Sequence, residues 1–127
     1  MNLDPAYTFA ALRDAALALP GVYADPQLNP AFRVRSRFLA RLHDTLAVAV
    51  VRCTPEKRMA LVAQDPVTFF VSTQFAASDR VLVRLATATR ADLSDVVEAA
   101  WRLEAPRRLV RSYDADRALR ASQATNA

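Results

Sequence analysis

The clearest pattern in the chain is an alternation from 31 to 42, where Phe32 and Val34 fall on one side of an extended segment and Arg33 and Arg35 on the other. That is the period of a half-buried strand. Ser36 interrupts it, and Arg37 and Arg41 follow in a second extended stretch, 37–42. His43 and Asp44 suit a turn into 45–52, a β-branched apolar run fit for the middle of a sheet, so the three pieces predict an antiparallel meander. Ahead of it, Asp4 and Pro5 signal a helix start, Phe9, Leu12 and Ala16 share one helical face, and the helix is expected to end near Leu19 before Pro20 and Gly21. Val22 and Tyr23 begin a short strand before the proline-rich loop 25–30.

Downstream, Thr54 and Pro55 open a helix over 56–64 with Met59, Val62 and Ala63 on its apolar side, stopped by Asp65 and Pro66. Two more strands, 69–73 and 81–85, flank the polar stretch 74–80 as a second hairpin. Thr89 and Asp92 form a capping-box variant ahead of Leu93, Val96, Val97, Ala100 and Trp101, whose i, i+3, i+4, i+7, i+8 spacing marks an amphipathic helix. Pro106 breaks it, and 107–113 is a short helix carrying Leu109, Val110 and Tyr113. The organisation expected is one domain over 1–113 and a polar tail, 114–127, that frays.

Composition narrows the function classes. A chain of 127 residues that is 53% hydrophobic has one core's worth of apolar surface. No apolar run reaches the roughly 18–20 residues of a membrane span, since the most apolar stretch, 46–51, ends at Arg52. The N-terminus has no basic residue ahead of an apolar run, so a secretory signal is not expected and cytoplasm is the default location. One glycine, Gly21, cannot build a glycine-rich phosphate loop. His43 and Cys53, alone of their kinds, offer neither a zinc ligand set nor a paired nucleophile and base. No enzyme activity, metal or cofactor is therefore expected.

The order of elements and five strings within it resemble the YjbR/MmcQ family: LALPGV at 17–22, NPAFRVRSRFLARL at 29–42, DPVTFFV at 65–71, VLVRL at 81–85 and EAAWRLEAPRRLVRSYD at 98–114. The resemblance implies an α+β single domain of CyaY-like fold: a curved antiparallel sheet of five to six strands with helices packed on one face. It also implies DNA binding through a "double wing" of two β-hairpins. Ser36 stands where family members usually carry glycine, and 74–79 replaces a loop that usually contains glycine and tryptophan. Frataxin-like proteins of the same general fold carry an acidic ridge on the first helix, where this chain has only Asp4 and Asp14, so iron delivery is not expected.

The net charge of +4 suits a polyanionic partner and equally keeps a small domain soluble. Between 33 and 58 there are seven basic side chains against Asp44 and Glu56. The leading expectation is weak, sequence-nonspecific binding to the DNA phosphate backbone by Arg33, Arg35, Arg37 and Arg41 on the first wing and Arg80 and Arg84 near the second. The competing reading makes these arginines the solvated face of a half-buried sheet, paired with acids. The alternative function is a protein-interaction module or homodimer using an exposed sheet face, with Leu39 and Leu46 as candidates. A second cluster, Arg102, Arg107, Arg108 and Arg111, suits the carboxyl end of the preceding helix. Trp101 is expected in the core, as are Phe69, Phe70 and Phe75, rather than stacking on bases.

Overall fold

In the computed structural model the described residues are 5–27, 31–43, 48–73 and 78–125. The expected cap at Asp4, the turn residue Asp44, Leu46, Phe75 and most of the second loop lie outside them. Helix α1 (Pro5–Leu17) leads to β1 (Val22–Ala24), β2 (Ala31–Val34), β3 (Arg37–Leu42) and β4 (Val48–Arg52). Then come α2 (Pro55–Gln64), β5 (Phe69–Phe70), β6 (Arg80–Arg84), α3 (Arg90–Glu104) and α4 (Arg107–Thr125). The six strands among the described residues form one antiparallel sheet in the order β1-β2-β3-β4-β6-β5, with β4 inside it as its apolar run requires. The α+β single-domain architecture expected from the sequence is the one observed.

Local chemistry sets the boundaries. Gly21 takes φ +77°, which lets the chain leave α1 and enter β1, and a Cβ there would lie 3.2 Å from Leu109 Cδ1. Arg35 and Ser36, at φ 49° and 63°, make the two-residue turn between β2 and β3, the geometry whose twist matches the strands it joins. Thr54 caps α2 by accepting from the Lys57 backbone N–H at 3.2 Å. At α3 the Thr89 hydroxyl accepts from the Asp92 N–H while the Asp92 carboxylate accepts from the Thr89 N–H, a complete capping box.

The four helices of the described residues pack on one side of the sheet. Ala11, Leu12 and Ala16 of α1 meet Leu93, Val96, Val97, Ala100 and Trp101 of α3 over Phe32, Val34, Ala49, Val51, Val81 and Val83, so every apolar position expected of α3 is buried. Trp101 is fully buried, donates Nε1–H to the Pro20 carbonyl at 2.8 Å and meets the Tyr113 ring edge-on, as its expected core role requires.

Three expectations change. The inner side of α2 is Leu61 and Val62, not Met59 and Ala63, because Met59 is 74% exposed. Strand β5 is only two residues long, so the expected 69–73 strand is cut short. The tail expected to fray is helical: α4 runs to Thr125, with no proline or glycine to stop it. Its first turns are also fixed to α3, where Arg102 makes a two-pronged pair with Asp114 at 2.7 and 3.1 Å and Glu98 accepts from the Tyr113 hydroxyl at 2.7 Å.

Candidate nucleic-acid interface

The register decides which arginines share a surface. Opposite residues of neighbouring strands project from the same side of a sheet. Arg33 pairs with Phe38, Arg41 with Val50, Val50 with Leu82, and Leu82 with Phe70. Val48 pairs with Arg84 and Arg52 with Arg80. Apart from Arg52, whose guanidinium reaches Glu104 of α3 from the end of β4, these residues alternate with the core positions Val34, Ala40, Ala49, Val51, Val81 and Val83, so they lie on the face away from the helices. Val50 and Leu82 are 0% and 3% exposed there, with Phe38, Val48 and Phe70 packed around them. Arginines lie over the two rings: the Arg80 guanidinium is 4.4 Å above the Phe38 ring and that of Arg84 4.2 Å above the Phe70 ring.

The six expected residues separate into groups. Arg33 is on this face, but its Nε is 2.6 Å from Asp25 and its Nη1 donates to the Ser36 carbonyl. Arg35 is not on a strand face at all; it is an exposed turn residue with positive φ. Arg37 pairs with the core residue Val34 and so points to the helix side, where it lies 3.9 Å from Glu104. The expected continuous ribbon through Arg33, Arg35, Arg37 and Arg41 is therefore divided. A register shift between Phe32 and Arg33 leaves Leu39 unpaired, so Arg37 and Arg41, four residues apart on one strand, end on opposite faces.

Arg41, Arg80 and Arg84 share the helix-free face and have no acidic partner among the described residues. Arg41 donates to the Leu42 carbonyl and Arg84 to the Val67 carbonyl. Burial, and then the positive fields of Arg41, Arg52 and Arg33, push the Arg80 guanidinium below its ordinary pKa, although an arginine stays charged at neutral pH. Among the described residues, Arg41, Arg80 and Arg84 thus share this face without an ion-pair partner. Arg52, at the end of β4, is neutralised by Glu104 at 2.9 Å and Asp79 at 3.6 Å.

Other candidates resolve otherwise. Leu39 is fully buried in the helix-side core, so it cannot belong to an exposed interaction face. Arg102 is held by Glu98 and Asp114, the helix-end role expected for part of its cluster. Cys53 is buried, and burial pushes its thiol above the ordinary range despite Lys57, Arg58 and Arg52 nearby. Phe69 joins the core as expected, whereas Phe70 lies on the opposite face. Phe38 was not singled out by sequence; the signal was the apolar triplet Phe38, Leu39, Ala40, which a strict two-residue alternation cannot accommodate.

Comparison with known proteins gives a family and no assigned activity. Uncharacterized protein Rv2570 of Mycobacterium tuberculosis and uncharacterized protein Mb2600 of Mycobacterium bovis are each 36% identical to this chain over 56 residues. The match covers 44% of this chain and 43% of each relative, so it spans less than half the length of either protein. No solved structure matches the chain. Residues 17–103, from the last residue of α1 almost to the end of α3, match the YjbR family, and the chain belongs to that family.

Proposed function

We propose that this chain is a non-enzymatic, cytoplasmic domain that binds DNA weakly and without sequence preference, by placing phosphates against the helix-free face of its sheet. The observation that carries the reading is the convergence of Arg41, Arg80 and Arg84 on that face without acidic partners among the described residues. Arg33 stands beside them with its charge offset by Asp25. Phosphate contacts fix position and carry no base information, which fits a face of planar cations with, among the described residues, no helix on it to enter a groove. Among the described residues no helix is long and apolar enough to cross a membrane.

The test is binding of a fluorescent duplex of arbitrary sequence across a salt series. Three phosphate contacts give a slope of log K against log salt of about −2.7. Arg41→Gln and Arg84→Gln are each expected to make that slope shallower by about 1. Arg37→Gln, on the other face, is expected to leave it unchanged. Absence of binding at low salt, or equal effects of all three substitutions, would refute the assignment.

A further inference from the structure

The helix-free face carries aromatic rings as well as cations, and a duplex has no use for them. Arg41, Val50, Leu82 and Phe70 lie side by side across β3, β4, β6 and β5. Arg80 over Phe38 stands on one side of this row and Arg84 over Phe70 on the other. Phe38 and Phe70 are half-buried, and among the described residues no helix packs over the Val50 and Leu82 floor between them. Each stack presents a planar guanidinium lying over an aromatic ring, so a flat surface and a cation coincide at one point, and an unpaired nucleotide has a partner for each: a base with a free π face and a phosphate. In a duplex the base faces are occupied by their neighbours, so only the phosphates are available.

We propose that this face binds single-stranded nucleic acid, with bases stacked on the Phe38–Arg80 and Phe70–Arg84 surfaces and phosphates held by Arg41, Arg80 and Arg84. The inference rests on the phosphate-binding reading above and adds the bases to it. A base enters either by stacking on the outer plane of the guanidinium or by taking its place on the ring while the arginine turns to the adjoining phosphate. Arg80 and Arg84 are four residues apart on one strand, about 13 Å at the rise of an antiparallel strand. That length matches about four nucleotides of a stacked strand at about 3.4 Å each.

The experiment compares a labelled 12-nucleotide strand with an abasic strand of equal length and phosphate count, using the wild-type chain and fluorescence anisotropy at one low salt concentration. The base-bearing strand is expected to bind at least about tenfold tighter, since stacking of even one base on an aromatic side chain is worth about that much. In the double variant Phe38→Leu with Phe70→Leu, which keeps apolar packing on Val50 and Leu82, the preference is expected to vanish while affinity for the abasic strand stays the same. Phe38→Tyr with Phe70→Tyr is expected to restore it. The same sequence is run as RNA, and whichever sugar form exceeds its abasic counterpart by more names the source of the strand. Equal binding of base-bearing and abasic strands by wild type overturns the stacking proposal and leaves the phosphate reading standing. If neither strand nor a duplex binds, both fall.

Discussion

The turn between β2 and β3 holds two non-glycine residues in the left-handed region, Arg35 at φ 49° and Ser36 at φ 63°. A side chain there brings Cβ close to the following carbonyl, at about 1–2 kcal/mol per residue. Three hydrogen bonds hold the conformation: Ser36 N–H donates to the Tyr23 hydroxyl at 3.2 Å, Arg33 Nη1 donates to the Ser36 carbonyl at 3.1 Å, and the Ser36 hydroxyl donates to the Arg35 carbonyl at 2.5 Å. Ser36→Gly removes the strain at one position and the third bond, and it loosens the unfolded chain by about 0.5–1 kcal/mol. The net expectation is a gain of about 0.5 kcal/mol, or about 2 °C in melting temperature for a domain of this size. Ser36→Ala keeps the strain and loses the hydroxyl, so it is expected to melt below wild type. The assay is thermal unfolding of the three proteins by circular dichroism. An order other than glycine above serine above alanine would refute the reasoning, because it would mean that the positive φ costs nothing or that the hydroxyl outweighs it.

Gly21→Ala combines a positive φ with a Cβ only 3.2 Å from Leu109 and 3.5 Å from Val34, and is expected to cost about 1–2 kcal/mol in a denaturant titration. Thr89→Ala removes one half of the α3 capping box and is expected to cost about 1 kcal/mol, with the melting temperature falling accordingly. Burial raises the Glu98 carboxyl, but hydrogen bonds from Tyr113 and Arg102 outweigh it and hold the group below its ordinary pKa; the Arg102 pair does the same for Asp114. Stability from both groups is therefore present above the ordinary carboxylate pKa of about 4 and is lost as pH falls through their folded values, so Glu98→Gln should flatten the acid limb of a melting-temperature profile. Cys53, buried and with its thiol pushed upward, is expected to resist a thiol-specific reagent in the native protein and to react on unfolding.

Much of the fold could be read along the chain because its local signals agree with one another. The α3 stripe is legible since its five apolar positions, its capping box and the following proline all describe one helix. The β4 and β6 runs are legible as interior strands because they are apolar at consecutive positions, which suits a strand covered on both sides. The end of α4 was not legible in the same way. Its polar residues fill no core, and what fixes its first turns is the pairing of Asp114, Tyr113 and Arg117 with Arg102 and Glu98, residues that lie 12 to 19 positions earlier. Sequence spacing alone does not reveal partners that far apart. The α2 face was misread for a related reason: Met59 is apolar, but with ten residues and no buried position the helix is oriented by its neighbours rather than by its own stripe.

The arginine site shows why composition and alternation stop short of a surface. Four arginines between 33 and 41 suggest one basic ribbon, and strict alternation would keep Arg37 and Arg41 together. One unpaired residue, Leu39, reverses that parity, and a turn in the left-handed region removes Arg35 from the strand. The same shift brings Phe38 to the side of Arg33 and Arg80, so the step that takes Arg37 away from the face is also the one that supplies its aromatic ring. Val50 and Leu82 account for the rest: among the described residues they are covered by Phe38, Val48 and Phe70, with the Arg80 and Arg84 guanidinium groups over the two rings, and not by a second layer of helices. A layer of that kind keeps a sheet dry underneath while leaving its charge at the surface. Under the proposal of single-strand binding, the ligand's own flat rings would share that cover, and the register that places Phe38 beside Arg80 matters there more than the number of arginines.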